Sequence, residues 1–367
     1  MRSSGERASR KTNVTSCNLV FRAGPGAFES IRRHGFAIER IGTIAGASGG
    51  AKWLVLSQID RAILTNIVPK LRGPVHLIGS SIGAWRLACY AQSDPLAALQ
   101  RFEDAYIEQN FSDSPRINQI TAKCREIIRT VLTDATAREI LEHPVFRTHV
   151  MTVRARNIAA SENRYLLTAS LIAAATLNAI NRRMLALFYE RALFFDPRDL
   201  PPFLSIKGFS MQKIQLNARN IEDVMVATGS IPLVLLGVQN IAGARPGVYR
   251  DGGVIDYHLD LPHSEADRLT LYPHFSERII PGWFDKKLPW RKPDPINLDR
   301  TVLISPSAEF VARLPRGKIP DRTDFTTYSQ SERIRAWRDV VRACEALAEE
   351  FNDVMQKDQL AARLEPL

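Results

Sequence analysis

Short apolar runs alternate with helical patterns through the first hundred residues. An apolar run over 18–21 meets a glycine turn, Gly24-Pro25-Gly26, and a helical pattern follows over 27–34. A second run over 38–45 ends in Gly46-Ala47-Ser48-Gly49-Gly50, after which Leu56, Ile59 and Ile63 fall on one face at helical spacing. A third, Val75-His76-Leu77-Ile78, passes through Gly79-Ser80-Ser81-Ile82-Gly83 into a helix over 84–91. Three successive strand-turn-helix units predict an α/β fold, a mainly parallel sheet covered by helices.

The pattern then changes. Asp94, a good N-cap with Pro95 at the first helical position, opens a mostly helical stretch to about 141, broken at Ser114-Pro115 and near Thr133-Asp134. This is a helical insertion over about 94–143. Strand-like runs return at 148–153, 213–216, 247–250, 269–272 and 301–304. A final helix carries Ile334, Trp337, Val341, Cys344, Leu347, Phe351 and Val354 as a 3.6-residue stripe that should dock on the sheet. With no internal repeat and no Gly/Ser-rich linker, the chain is expected to form one domain over 18–355, between a loose basic tail (1–17) and a C-terminal tail (356–367). Residues 165–180 are uncharged but too polar and short for a membrane span, and read either as a buried core helix or as a lid facing lipid.

Composition narrows the function classes. The chain has 367 residues, 45% of them hydrophobic and 24% charged, which excludes disordered and fibrous classes. Its net charge of +10 suits an anionic partner. No nucleic-acid reader motif accompanies that charge, so nucleic acid is not expected. Two basic stretches, 286–292 and 313–322, with Trp283, Phe284 and Trp290 beside the first, read either as solvated loops or as an interfacial anchor on an anionic membrane surface. Cys17, Cys89, Cys124 and Cys344 lie far apart, and the polar N-terminus lacks an apolar secretory segment, so a reduced, cytoplasmic setting is expected. His34, His76, His143 and His149 occur singly, without ligand spacing, and no metal or other cofactor is expected.

Two turns carry candidate chemistry. Both 46–50 and 79–83 match G-x-S-x-G, a tight strand-to-helix turn whose small flanking residues let a serine project at the sheet edge. The residues alone leave Ser48 and Ser81 both open as nucleophile. The loop from Arg22 to Ala27 is a glycine turn of the kind that presents backbone N–H groups to an anion. Far downstream, Ala227-Thr228-Gly229-Ser230-Ile231-Pro232 leads through Tyr249-Arg250 to Asp251-Gly252-Gly253-Val254.

These four elements in this order resemble the patatin-like phospholipases, over about 18–262. The resemblance implies a three-layer α/β/α fold and a serine acyl hydrolase of phospholipids or related lipid esters. It puts a histidine-free catalytic dyad on Ser48 and Asp251, with Gly46 and Gly50 flanking the elbow. It puts the oxyanion donors among Gly24, Gly26 and Ala27, with Gly49 after the nucleophile. The family's loop usually has three successive glycines, then a basic residue and another glycine. Here Pro25, which has no N–H, separates Gly24 from Gly26, and Ala27-Phe28 follow. The rival reading is an α/β-hydrolase with Ser81 as nucleophile, Asp251 as orienter and His258, His263 or His274 as base. Two further readings stay open: a catalytically silent lipid-binding protein of the same fold, and an acyltransferase in which an acceptor alcohol replaces water.

Overall fold

The computed structural model describes residues 17–111, 115–206, 208–262 and 267–367. The expected Ser114 break and His263 lie outside the described residues, as does all but Cys17 of the expected N-terminal tail.

The alternation in the sequence becomes β1 (Leu19–Ala23), α1 (Pro25–His34), β2 (Ile41–Gly46), α2 (Ser57–Asn66), β3 (Val75–Ser80) and α3 (Ile82–Tyr90). The insertion follows as α4 (Pro95–Glu108), α5 (Ile117–Val131) and α6 (Asp134–Glu142), and Asp94 caps α4 by accepting from the Ala97 amide. Next come β4 (Phe146–Ala155), α7 (Arg164–Ile180), β5 (Tyr189–Phe195), β6 (Met211–Gln215), α8 (Ile221–Gly229), β7 (Val238–Gln239), β8 (Val248–Asp251) and β9 (Leu269–Pro273). The chain closes with α9 (Pro295–Leu298), β10 (Thr301–Pro306), α10 (Ala308–Arg313), α11 (Asp324–Thr327), α12 (Gln330–Ala343), α13 (Glu345–Gln356), α14 (Leu360–Arg363) and β11 (Leu364–Pro366).

One mixed, mostly parallel sheet runs β11-β1-β10-β9-β2-β3-β4-β5-β6, flanked by helices in a three-layer α/β/α arrangement, as expected. β2, β3 and β4 are parallel neighbours, fully buried over β2 and β3, so both serine turns emerge at the same sheet edge. β8 pairs antiparallel with β4, placing Asp251 opposite Thr152 on that edge.

Three features depart from the sequence reading. β5 was not expected, because Tyr189-Glu190-Arg191 buries two charged residues in a run that looks polar. The burial is compensated: Arg191 makes a bidentate pair with buried Asp256 (2.8 and 2.7 Å), and Glu190 meets Arg154 and Arg156. The expected last helix divides at Cys344 into α12 and α13, although its stripe from Trp337 to Val354 is buried as anticipated. The expected C-terminal tail packs back onto the sheet, where β11 pairs parallel with β1 and covers its edge.

Trp337 links this helical layer to the site. It stacks on Tyr106, meets Phe325 edge-on and donates from its indole to Asp324 at 2.8 Å. Trp337→Ala should lower unfolding free energy in urea by about 3–5 kcal/mol, the usual cost of truncating a buried tryptophan. A loss under about 1 kcal/mol would mean that this layer is not pinned by Trp337.

Candidate active site

β3 ends at Ser80, and the chain turns at once into α3. Ser81 makes that turn with φ 55° and ψ −132°, in the positive-φ range that L residues avoid. Crowding holds it there. A side-chain carbon on Gly79 would sit 2.3 Å from the Ala84 Cα, and one on Gly83 would sit 2.0 Å from the Gly46 carbonyl oxygen. The Ser81 amide donates to Thr228 Oγ1 (2.8 Å), whose hydroxyl donates in turn to the Met151 carbonyl on β4 (2.7 Å). The strained turn is thus tied to α8 and, through Thr228, to β4.

The Ser81 hydroxyl donates to Asp251 Oδ2 at 2.6 Å. Asp251 stands at the end of β8, and its other oxygen accepts from the Gly253 amide at 2.7 Å. The two glycines after it are set by close approach: a side chain at Gly252 would strike the Met151 carbonyl at 2.3 Å, and one at Gly253 would strike Ser48 Oγ at 2.5 Å. Burial pushes the Asp251 carboxyl up to about 6, against the pull of the Ser81 hydroxyl and the Gly253 amide.

Ser48, the expected nucleophile, has its hydrogen bonds elsewhere than at Asp251. Its hydroxyl donates to Ser80 Oγ at 3.1 Å, and its amide donates to the Tyr257 carbonyl at 3.0 Å. It is not among the positive-φ residues, so the turn at 46–50 is not a strained elbow. Ser48 lines the same small polar cavity as Asp251 and Gly253 but bonds to Ser80, while Ser81 makes the hydrogen bond to Asp251. The amides of the Gly24 loop, expected as oxyanion donors, are already paired. The Gly24 amide donates to the Thr301 carbonyl (3.0 Å), Gly26 to the Asp299 carboxylate (2.9 Å) and Ala27 to the Asp299 carbonyl (2.8 Å). These donors are spent on the 299–301 segment and line neither cavity at Ser81.

The glycine-rich stretch that does face Ser81 is the other turn. Gly49 and Gly50 line a small polar cavity of about 50 Å³ with Ser81, Asp251, Lys286 and Arg322. Gly50 has φ +57°, and Gly49 leaves no room for a side chain against the Phe275 ring. They open a 3-10 segment, Gly50–Leu56, whose start has no side-chain cap; the start of α3 has none either. Uncapped helical starts leave their first amides without intrahelical partners, and two such starts flank Ser81. Sequence reading missed this, although Gly49-Gly50 is itself a glycine turn after a strand, with a basic residue, Lys52, close behind it.

Ser81, Gly50 and Arg322 also border a cavity of about 510 Å³ walled by apolar side chains, among them Trp85, Ile127, Val234 and Phe325. That volume is in the range of sites for drug-sized apolar ligands. Lys286 reaches inward, its Nζ 3.9 Å from the Tyr257 ring centre, and burial, with Lys52 and Arg322 nearby, pulls it down to about 7. His258 and His274 are buried and held neutral, His274 down to about 3. Among the described residues no histidine lines either cavity or bonds to Ser81 or Asp251, and no group of three metal-ligating side chains occurs.

No family model and no curated protein sequence matches the chain. Among solved structures the chain is similar to human GIVD cytosolic phospholipase A2, with TM-score 0.42 and 8% identity over 91% of this chain and 62% of that one. It is also similar to VipD from Legionella pneumophila, with TM-score 0.31 and 12% identity over 66% of this chain and 51% of that one. The chain therefore spans about half of one of these proteins and less than two thirds of the other.

Buried Asp251 gives a stability test. A carboxyl raised from 3.8 to about 6 in the folded state favours its protonated form there, so its contribution is present at low pH and lost as pH rises through about 6. Asp251→Asn keeps an acceptor for Ser81 and removes the buried charge. In denaturant melts at pH 7 it should be the more stable protein, by up to about 3 kcal/mol, and the gain should vanish near pH 4. Equal stability at both pH values would show that the carboxylate carries no such penalty.

Proposed function

We propose that the chain is a serine acyl hydrolase of lipid esters, with Ser81 as nucleophile and Asp251 as its base. The observation that carries this reading is the 2.6 Å hydrogen bond from the Ser81 hydroxyl, on a strained elbow, to a buried carboxylate beside a large apolar cavity. In the proposed cycle Ser81 Oγ attacks the ester carbonyl while its proton passes to Asp251. The amides of Gly49 and Gly50, with that of Ile82 after the nucleophile, stabilise the oxyanion. The C–O bond to the alcohol then breaks, Asp251 returns the proton to the leaving oxygen, and an acyl-Ser81 ester remains. Water attacks that ester, gives its proton to Asp251 and releases the carboxylic acid, and the proton returns to Ser81.

The environment of Asp251 suits this work. A carboxylate of ordinary acidity is a poor base for a serine hydroxyl, and one raised to about 6 is better matched while still ionised at neutral pH. The apolar cavity suits an acyl chain. Lys286 and Arg322, on the polar side, suit an anionic alcohol portion such as a phosphate-bearing headgroup.

With p-nitrophenyl esters as substrates, Ser81→Ala should reduce kcat/KM by at least about a thousandfold, whereas Ser48→Ala should retain activity within about tenfold. The wild-type profile should climb to a plateau as Asp251 ionises, with its midpoint near 6. Full activity in Ser81→Ala would sink the assignment. Ile127→Trp, which fills the apolar cavity, should cut turnover of long-chain esters by roughly tenfold or more and spare acetyl esters. Equal loss on both would remove the cavity from the acyl site.

A further inference from the structure

The helix α7 is apolar on both sides. No charged residue occurs from Tyr165 to Ile180. One face, through Leu167, Leu171 and Ala174, is buried, and Ala174 packs into a satellite core with Val153, Leu185 and Tyr189. The opposite face carries Tyr165, Leu166, Ile172 and Ile180 into solvent, with exposures of 83%, 49%, 64% and 74%. A helix that is hydrophobic all round is ordinarily buried all round, so this outer face is unpartnered. One face of 165–180 is thus buried, as expected of a core helix, and the other is open to solvent.

What surrounds the face indicates what covers it. Arg164 precedes it, Arg183 follows it, and Lys287 and Lys292 are exposed on the neighbouring loop with Trp290, itself 64% exposed. The nearby acids are neutralised: Glu162 pairs with Arg250, and fully buried Asp285 pairs with Arg182 and Arg291. Asp294, the exposed exception, caps α9 through the Ile296 amide. An apolar face with a rim of cations and an exposed tryptophan matches the layered chemistry of an anionic bilayer, in which phosphates overlie acyl chains.

The face is also fixed to the mouth of the site. Asp285 accepts from Asn178 on α7 (2.8 Å), and Arg291 donates to the Asn178 carbonyl (2.7 Å). Asp285 belongs to the short turn Trp283–Lys287, whose Trp283 and Lys286 line the polar cavity with Ser81 and Asp251. A single buried carboxylate thus holds the outer helix and the cavity wall together.

We propose that the outer face of α7, with Trp290, Lys287 and Lys292, is a docking surface for an anionic lipid bilayer. Docking itself does not depend on chemistry at Ser81; its use in delivering substrate rests on the hydrolase reading above. The test is co-sedimentation with vesicles of phosphatidylcholine alone and of phosphatidylcholine mixed with phosphatidylserine, using Ser81→Ala so that no turnover is involved. Binding should be stronger on the mixed vesicles and should weaken with salt. The surface variant I172D/I180D should lower it by roughly tenfold or more, and K287E/K292E should remove the preference for phosphatidylserine. Both surface variants, made in the wild-type background, should melt as wild type and hydrolyse soluble p-nitrophenyl esters at its rate. Failure of ester hydrolysis with vesicle binding intact would overturn the hydrolase reading and leave the docking surface standing. Vesicle binding unchanged by I172D/I180D would overturn the proposal. So would absence of vesicle binding together with a self-association, seen by light scattering, that the same variant abolishes, since the face would then be a protein interface.

Discussion

The hydrogen bond between Ser81 and Asp251 is the contact around which the site is built, and the positions near it are constrained by what that contact requires. Ser81 is held at positive φ between glycines at 79 and 83, where Ala84 of the same turn and the Gly46 carbonyl of the neighbouring one leave no room for a side chain. Asp251 must arrive at the same sheet edge from a remote part of the chain, which β8 achieves by pairing with β4. Gly252 and Gly253 let the chain leave that crowded point. Thr228 joins the two halves, receiving the Ser81 amide and donating to β4. Strain and a buried carboxylate both lower stability, and the fully buried strands β2 and β3 with the helices over them supply the excess that holds such a site together.

The same view explains which parts of the sequence were legible. The strands and helices of the first ninety residues were, because their apolar runs and glycine turns express local geometry directly. The α/β class followed from them. Two matching G-x-S-x-G turns, however, look alike in one dimension. Only in the folded chain does the turn at Gly46–Gly50 leave Ser48 outside the positive-φ region and bonded to Ser80, while the turn at Gly79–Gly83 puts Ser81 in strain and in reach of Asp251. The Gly24 loop misled for a related reason: a glycine turn shows that amides are available, and not that Asp299 and Thr301 already occupy them. β5 was hidden because its charges are balanced by Asp256, Arg154 and Arg156, far away in sequence.

Electrostatics divides the site into two sides. Arg322 borders both cavities and is, among the described residues, the one charged residue lining the apolar one, whereas Lys286 and the Asp251 carboxyl join it at the polar cavity. An ester with one apolar and one anionic arm is complementary to that division. Asp285 joins this chemistry to the protein's outer surface, since its ion pairs set the position of the Trp283–Lys287 turn and of α7 together.

Locating the adduct of a fluorophosphonate probe by peptide mass spectrometry tests the central claim most directly, because the probe reports which serine is made nucleophilic by its surroundings. The account predicts one adduct, on Ser81, formed much more slowly in Asp251→Asn and unaffected in Ser48→Ala. An adduct on Ser48, or labelling of Ser81 at the same rate with and without the Asp251 carboxylate, would contradict it.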